Sequence, residues 1–401
     1  MKVNRMIRVL IADDSAFMRK VLSDLFRKQP DFEVVGTARN GKEAIEQTKK
    51  FHPDLLTMDV NMPVMDGLNA LAVIMEECPM PVVMISSLTR EGAEATIRAL
   101  ELGAVDFIGK AGGSISRIDT IETEILEKCR NAASAHVHKP MAPAKPSAPK
   151  VTGPPVMRRV TLPRTRTPVQ PQPQPKQTSV SNPFLKRENP LLQRKQAGAG
   201  LTPHAVPAAG RTGQRLVAIG TATGGPQALQ NVITRLPADL PCGVVVVQHM
   251  PPGFTKALAD RLNSISAIRV KEAEDGDIIE PGQVYIAPGN YHMRVTSSGN
   301  QRKIALGQDP PVGNHRPAVN VMYDSVAPVG RELVAVIMTG MGCDGCEGMK
   351  KIKASGGYSI AQDEATCVVY GMPKAVVDAG LADEVRPVQD IARAIVEAVK
   401  K

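Results

Sequence analysis

Short apolar runs alternate along most of this chain with stretches whose apolar residues recur every three or four positions. IRVLIA (7–12), FEVVGT (32–37), DLLTMD (54–59), PVVMISS (81–87) and AVDFIG (104–109) are of the first kind. Ala16 to Phe26 and Glu91 to Leu100 are of the second. Runs apolar throughout suit strands buried on both faces, and the three-and-four spacing suits amphipathic helices. Five such alternations predict a parallel sheet covered by helices on both sides. The pattern resumes with RLVAIGT (215–221), CGVVVVQHM (242–250), ELVAVIMTG (332–340) and GGYSIAQD (356–363), with a helix over Gln227 to Leu236. QVYIAPG (283–289) facing YHMRVTS (291–297) predicts an antiparallel hairpin added to this second parallel sheet. The expected fold class is therefore α/β in two domains. Residues 1–131 form a (βα)5 domain with a five-stranded parallel sheet, and 213–401 a doubly wound, Rossmann-like α/β domain with an antiparallel hairpin.

Between them, residues 132–212 lack either period and concentrate proline, as in KPMAPAKPSAPK and TPVQPQPQPKQ. This is the composition of a polyproline-rich linker. The chain's net charge of +9 invites a nucleic-acid function, but the segment 132–211 alone holds thirteen Lys/Arg against one acid, Glu188. The remainder is slightly acidic, so no folded basic face is expected and nucleic acid is not expected as a partner. NPFLKRENPLLQRKQ (182–196) is the one stretch of the linker apolar enough to dock on something. No apolar run approaches the roughly 20 residues of a membrane span, so no membrane insertion is expected. Six cysteines (78, 129, 242, 343, 346, 367) in 401 residues, with no signal-peptide pattern, point to a reducing cytoplasm.

Parallel sheets present functional groups at the carboxyl ends of their strands. In the first domain those ends deliver Asp13 and Asp14, Asp59, Ser86 and Ser87, and Lys110. Three carboxylates brought together repel unless a cation sits among them, and oxygen ligands without Cys or His suit Mg²⁺. Such an ion lowers the charge penalty for phosphoryl transfer to a carboxylate. Lys110 could pair with phosphoryl oxygens and Ser86 could hydrogen-bond one. DDSAFMRK (13–20), LLTMDVNMPVMDG (55–67), ISS (85–87) and DFIGK (106–110) together resemble the receiver domain of bacterial two-component response regulators. That resemblance implies that a partner histidine kinase phosphorylates Asp59. It implies that Asp14, Asp59 and the Asn61 carbonyl hold Mg²⁺ with support from Asp13, and that Ser86 and Phe107 are the switch positions. Many receivers follow the lysine with proline; this chain has Ala111.

In the second domain, Gly220-Thr221-Ala222-Thr223-Gly224-Gly225 follows an apolar strand and precedes a helix. It lacks the Lys-Ser/Thr of a P-loop and the spacing of a dinucleotide-binding loop. Its glycines have the spacing of a nucleophile elbow, G-x-S-x-G, with Ala222 at the centre. His249 ends a strand on the same edge, and Asp344 in MTGMGCDG (338–345) is placed to orient it. The neighbouring glycines leave backbone N–H groups free to act as oxyanion donors. Cys343 and Cys346 form a C-x-x-C without a second pair at metal spacing, and are expected to be small core residues. IGTATGGP (219–226), QHMPPGFT (248–255), GNHRPAVN (313–320), TGMGCDG (339–345) and AQDEATCVVYGMP (361–373) together resemble the chemotaxis protein-glutamate methylesterases, the CheB family. The order receiver, linker, hydrolase extends that resemblance over the whole chain. It implies hydrolysis of glutamate γ-methyl esters on chemoreceptors and deamidation of receptor glutamines, with no cofactor in the catalytic domain. It also implies that His249 is the base, Asp344 the orienting acid, Met341 a backbone oxyanion donor, and position 222 that of the catalytic serine. Ala222 is then an introduced change, an evolved loss leaving a binding protein or scaffold, or a gap filled by Thr221 or Thr223. The last is disfavoured because neighbouring side chains on a turn point elsewhere. A receiver that packs over the cleft until Asp59 is phosphorylated is the expected control.

Overall fold

The computed structural model describes residues 6–87, 89–110, 118–135, 137, 215–298 and 301–400. The N-terminal domain runs β1 (Ile7–Ala12), α1 (Ala16–Arg27), β2 (Phe32–Ala38), α2 (Gly41–Phe51), β3 (Leu55–Asp59), α3 (Gly67–Glu77), β4 (Val82–Ser87), α4 (Arg90–Leu102), β5 (Asp106–Lys110) and α5 (Ile118–Ala133). Its five strands pair in parallel in the order β2-β1-β3-β4-β5. Alternate residues of β1 face opposite ways, as the two-residue period of a strand requires. Val9 and Ile11 pack with Leu22, Leu25 and Phe26 of α1 and with Ile125, Leu126 and Cys129 of α5. Leu10 and Ala12 pack in the cluster that holds α2, α3 and α4. Helix starts follow local chemistry: the side chains of Ser15, Asn40, Asp66 and Thr89 each accept a backbone N–H from the first turn.

The second domain runs β6 (Leu216–Thr221), α6 (Gly225–Ile233), β7 (Gly243–Gln248), α7 (Phe254–Ile265), β8 (Arg269–Glu272), β9 (Gln283–Ile286), β10 (His292–Ser298), β11 (Gln301–Gly307), α8 (Val319–Val326), β12 (Leu333–Ile337), α9 (Cys346–Ala354), β13 (Tyr358–Gln362), α10 (Met372–Asp378), β14 (Glu384–Arg386) and α11 (Val388–Ala398). Seven strands form one parallel sheet in the order β14-β13-β12-β6-β7-β9-β8. Helices α6, α7 and α11 cover one face. Helices α8, α9 and α10, with the β10–β11 hairpin, cover the other. The sheet grows outward from β6 in both directions, so β12, β6 and β7 are adjacent and their carboxyl ends meet at a topological switch point, the usual place for a site in such sheets.

The antiparallel hairpin exists, but its strands are not the pair expected. Residues 283–286 are the fully buried strand β9, held between β7 and β8. Both edges of that run are occupied, so 291–297 cannot pair with it. Strand β10 pairs instead with β11, from His292 opposite Gly307 to Ser298 opposite Gln301. Helix α6 stops at Ile233 rather than Leu236: ahead of Pro237, Arg235 N and Leu236 N bond the Val232 and Ile233 carbonyls three residues back, a tighter turn than the α-helix. Strand β12 ends at Ile337, and Met338 to Gly340 continue as a loop tied to Gln362 and Val369. The expected linker, with its apolar stretch 182–196, lies outside the described residues apart from the end of α5 and the few residues after it, and so does Ala111. Among the described residues no helix is long and apolar enough to cross a membrane.

Candidate functional sites

The strand ends of the first domain converge as expected. Asp13, Asp14 and Asp59 each offer a carboxylate oxygen within 4.8 Å of the others. Asp13 and Asp59 are buried, while Asp14 is exposed at the mouth. Lys110 Nζ reaches Asp59 Oδ2 at 2.7 Å and Asp13 Oδ2 at 3.3 Å. Burial pushes the Asp59 carboxyl above its ordinary value, against the pull of Lys110 and of a backbone hydrogen bond from Asn61. Burial acts to lower Lys110, but Asp59 and Asp13 outweigh it and hold the ammonium above its usual range. The buried Asp13 Oδ2 has no hydrogen bond among the described residues. An all-oxygen donor set in which one buried oxygen has the Lys110 ion pair but no hydrogen bond suits a hard cation. Two expected members look elsewhere. Ser86 Oγ donates to the Gly92 carbonyl at 3.0 Å, inside the start of α4. The Phe107 ring is buried against Phe254 of α7, with centroids 4.5 Å apart and planes 25° from parallel.

In the second domain, Ala222 sits on the turn between β6 and α6. Its N–H donates to the Thr339 carbonyl at 3.0 Å, and its carbonyl accepts from Gly225 N at 2.8 Å. Gly224 has φ +76°, and a Cβ there would lie 2.5 Å from Val368 Cβ. The elbow therefore needs glycine for its conformation and for its packing. Gln248, buried at the end of β7, accepts from Thr221 Oγ1 at 2.6 Å and donates to the Ala222 carbonyl at 2.9 Å. One side-chain amide thus braces the turn. His249 follows, its N–H bonded to the Thr221 carbonyl at 3.1 Å.

His249 Nε2 lies 2.8 Å from Asp344 Oδ2. Asp344 also accepts from Val319 N at 2.7 Å and Asn320 N at 2.9 Å, the first residues of α8. A carboxylate at a helix N-terminus meets orphan N–H donors and the positive end of the dipole. Burial alone would raise the Asp344 carboxyl. The His249 bond and the two backbone donors outweigh it and hold the group below its ordinary value. With Nε2 engaged, Nδ1 is the ring nitrogen left to exchange a proton. The Met341 loop is backed by Gly371, where a Cβ would lie 2.7 Å from the Gly340 carbonyl oxygen and 2.9 Å from Gly342 N.

Both threonines of the elbow are engaged away from any nucleophilic role. Thr221 Oγ1 is buried on Gln248, and Thr223 Oγ1 donates to Asp106 Oδ2 of β5 at 2.7 Å. Cys343 is exposed and Cys346 half-buried, both as free thiols. Cys343 is not the core residue expected, because the loop carrying it extends beyond the carboxyl edge of the sheet. His315 was not expected at the site. Its ring stacks on that of His249, with centroids 3.8 Å apart and planes 15° from parallel.

The contacts made by the first domain begin at the elbow. Besides the Thr223–Asp106 bond and the Phe107–Phe254 stack, Gln227 Nε2 of α6 donates to the Leu100 carbonyl of α4. Arg261 of α7 forks onto Glu101 at 2.6 and 3.1 Å. Lys128 of α5 donates to the Phe107 carbonyl at 2.7 Å and lies over the Phe107 ring. Burial would lower this lysine, but Asp106 and Glu124 hold it above its usual value.

A (βα)5 domain with an acidic strand-end pocket, joined to a parallel α/β domain with a His–Asp pair beside a glycine elbow, defines a response regulator carrying an enzyme-like output domain. Residues 9–121 match the response regulator receiver domain and residues 217–395 the CheB methylesterase family. A protein-glutamate methylesterase/protein-glutamine glutaminase of Symbiobacterium thermophilum is 48% identical over 99% of this chain and 98% of its own length. One of Pyrococcus abyssi is 44% identical over 99% of this chain and 94% of its own. The crystal structure of the Thermotoga maritima CheB methylesterase catalytic domain covers 46% of this chain and 97% of its own, at 47% identity and a TM-score of 0.45. The chain belongs to the CheB methylesterase family, with an N-terminal receiver domain.

Proposed function

We propose that this chain is a phosphorylation-regulated protein-glutamate methylesterase and protein-glutamine glutaminase acting on chemoreceptors, built around His249, Asp344 and position 222. The observation that carries it is the His249–Asp344 pair, its side chains 10% and 9% exposed, beside the elbow and anchored on the N-terminus of α8. Asp344 fixes the imidazole tautomer, leaving Nδ1 to take the proton of a hydroxyl at position 222. That oxygen attacks the glutamyl ester carbonyl, and the backbone at Met341 donates to the resulting oxyanion. The carbon–oxygen bond to methoxide breaks, His249 returns the proton, and methanol leaves. Water then splits the acyl-enzyme to a carboxylate. A glutamine amide follows the same course with ammonia as leaving group.

Control is proposed to run through β5, which carries Lys110 at one end and Asp106 and Phe107 near the other. A histidine kinase supplies the phosphoryl group to Asp59. Mg²⁺, held by Asp14, Asp59 and the Asn61 carbonyl with Asp13 behind them, would supply charge neutralisation for that transfer. Lys110 then exchanges its carboxylate partner for phosphoryl oxygens. Any shift of β5 acts on the Thr223–Asp106 bond and the Phe107–Phe254 stack, biasing the receiver away from the elbow. A kinase and a receptor segment of this kind favour a cytoplasmic location.

As it stands, Ala222 supplies no attacking oxygen, and a triad without one member keeps only ~10³–10⁴-fold acceleration over water. Ala222→Ser should raise methanol release from methylated receptor by orders of magnitude once the receiver is phosphorylated. Equal rates in the two forms would refute the assignment. The missing hydroxyl at 222, with Thr221 and Thr223 both bonded elsewhere, favours a second function for the chain as it is. It would be a phosphorylation-gated receptor-binding scaffold. Receptor binding without turnover, even after serine is restored, would support the scaffold over the hydrolase.

A further inference from the structure

The hydrogen bond to Asp344 restrains His249 at one point, Nε2. A ring fixed there and at its Cβ can still roll about the line between them, and that roll swings Nδ1. The stacked ring of His315 lies against this remaining freedom. We propose that His315 is a positioning residue for His249: its ring, delivered on a braced turn, holds the imidazole plane in line with Asp344. The role rests on the hydrolase function proposed above, since it matters only if Nδ1 handles a proton.

The segment that delivers His315 is built to be stiff. Val312 and His315 exchange backbone hydrogen bonds of 3.1 and 3.0 Å around Gly313 and Asn314. Both central residues are left-handed, at φ 59° and 67°, which is the geometry of a two-residue type I′ turn. On its far side Arg316 grips Asn290 Oδ1 through Nε at 3.1 Å and Nη2 at 2.6 Å. Its Nη1 donates to the Gln308 and Asp309 carbonyls. Asn290 N–H returns a bond to the Arg316 carbonyl at 3.0 Å. The residues flanking His315 are therefore tied on both sides.

The charge state of His315 suits the role. Burial, with His249 and Lys128 nearby, pulls its pKa down to about 4, against the opposing effect of Asp344. It stays neutral when His249 takes a proton, so no second cation faces the imidazolium across the stack. Two charged rings at that separation would repel, and a base that repels its own support would be displaced at the moment of proton transfer.

The test is imidazole NMR on the full chain with alanine at 222, alongside His315→Ala and His315→Phe. We expect His315→Ala to speed solvent exchange of the His249 Nε2 proton by about tenfold and to shift the His249 titration midpoint. The Phe variant restores a neutral ring face and should return both readouts to the parent values. In an Ala222→Ser background, His315→Ala should lower kcat by up to ~10²-fold with KM unchanged, the size expected for a misaligned catalytic group, and His315→Phe should recover most of it. A folded His315→Ala protein with unchanged His249 exchange and titration overturns the proposal. A changed His249 signal with no methanol release from the serine form upholds the positioning role and counts against the hydrolase function instead.

Discussion

Asp344→Ala is the perturbation whose cost the structure defines most closely. The carboxylate receives three donors, His249 Nε2 at 2.8 Å, Val319 N at 2.7 Å and Asn320 N at 2.9 Å. It is almost wholly buried, with 9% of its side chain exposed. Each buried donor left without a partner costs about 1–3 kcal/mol. Water entering the space left by the carboxylate recovers part of that, so the net loss is expected at ~3–5 kcal/mol. Asp344→Asn is not the conservative choice it looks. Each carboxylate oxygen accepts from a backbone N–H, Val319 on Oδ2 and Asn320 on Oδ1, so the new amide nitrogen must face one of them. If the oxygen keeps His249 and Val319, the nitrogen meets the Asn320 N–H, at an expected cost of about 2–3 kcal/mol. Urea unfolding followed by circular dichroism measures both values, and hydrogen exchange at Val319 and Asn320 locates them. The pH dependence has a definite sign. The folded-state pKa of Asp344 is depressed, so its stabilisation is complete above the unfolded value of about 4 and is lost as pH falls through the lower folded value. The gap between parent and Asp344→Ala should be flat above about pH 5 and close below about pH 4. A loss under ~0.5 kcal/mol, unchanged exchange at both amides, or a gap that widens on acidification would refute this account.

Phe254→Ala should loosen the receiver from the hydrolase domain, because both stacked rings are buried and such truncations typically cost about 3–5 kcal/mol. A larger radius of gyration in small-angle scattering is expected, and an unchanged scattering profile would contradict it. Mg²⁺ should raise the melting temperature of the parent chain, by the equivalent of ~2.7 kcal/mol at a hundredfold excess over Kd. The effect should vanish in Asp14→Asn, and a parent melt insensitive to Mg²⁺ would argue against the acidic pocket as its site.

Much of this architecture was legible because strands buried on both faces read as unbroken apolar runs. Strands β1, β3, β4, β6, β7 and β12 are of this kind, and so are the ends that carry Asp13, Asp59 and His249. The strands that escaped notice are polar ones at the margins. β8 is RVKE and β14 is EVR, each an edge of the seven-stranded sheet, and β11 begins QRK. An edge strand needs no apolar face on its solvent side, so periodicity is silent there. The hairpin was mispaired because QVYI and HMRV are both apolar and close in sequence, although Gly299-Asn300 between β10 and β11 is the better turn signal. His315 was missed for a different reason. A histidine in a polar loop has no periodic partner, and its stack on His249 is set by chain topology rather than local pattern. The Gly313-Asn314 pair did mark the turn that presents it. The Thr223–Asp106 bond joins residues 117 apart in sequence, and nothing local announces it.

That bond makes the elbow two things at once. Thr223 adjoins position 222, and Asp106 adjoins Phe107, so the same few atoms line the proposed reaction site and bond the first domain to it. Under the proposed function, a receptor segment entering the elbow competes with Asp106. Thermodynamic reciprocity gives the competition a second direction: if the phosphoryl group on Asp59 favours receptor binding, bound receptor favours the phosphorylated receiver by the same factor. Receptor bearing many modification sites would in that case act on the signalling branch as an effector and not merely as a substrate. The equilibrium fraction of phosphorylated receiver would then report how much receptor is within reach.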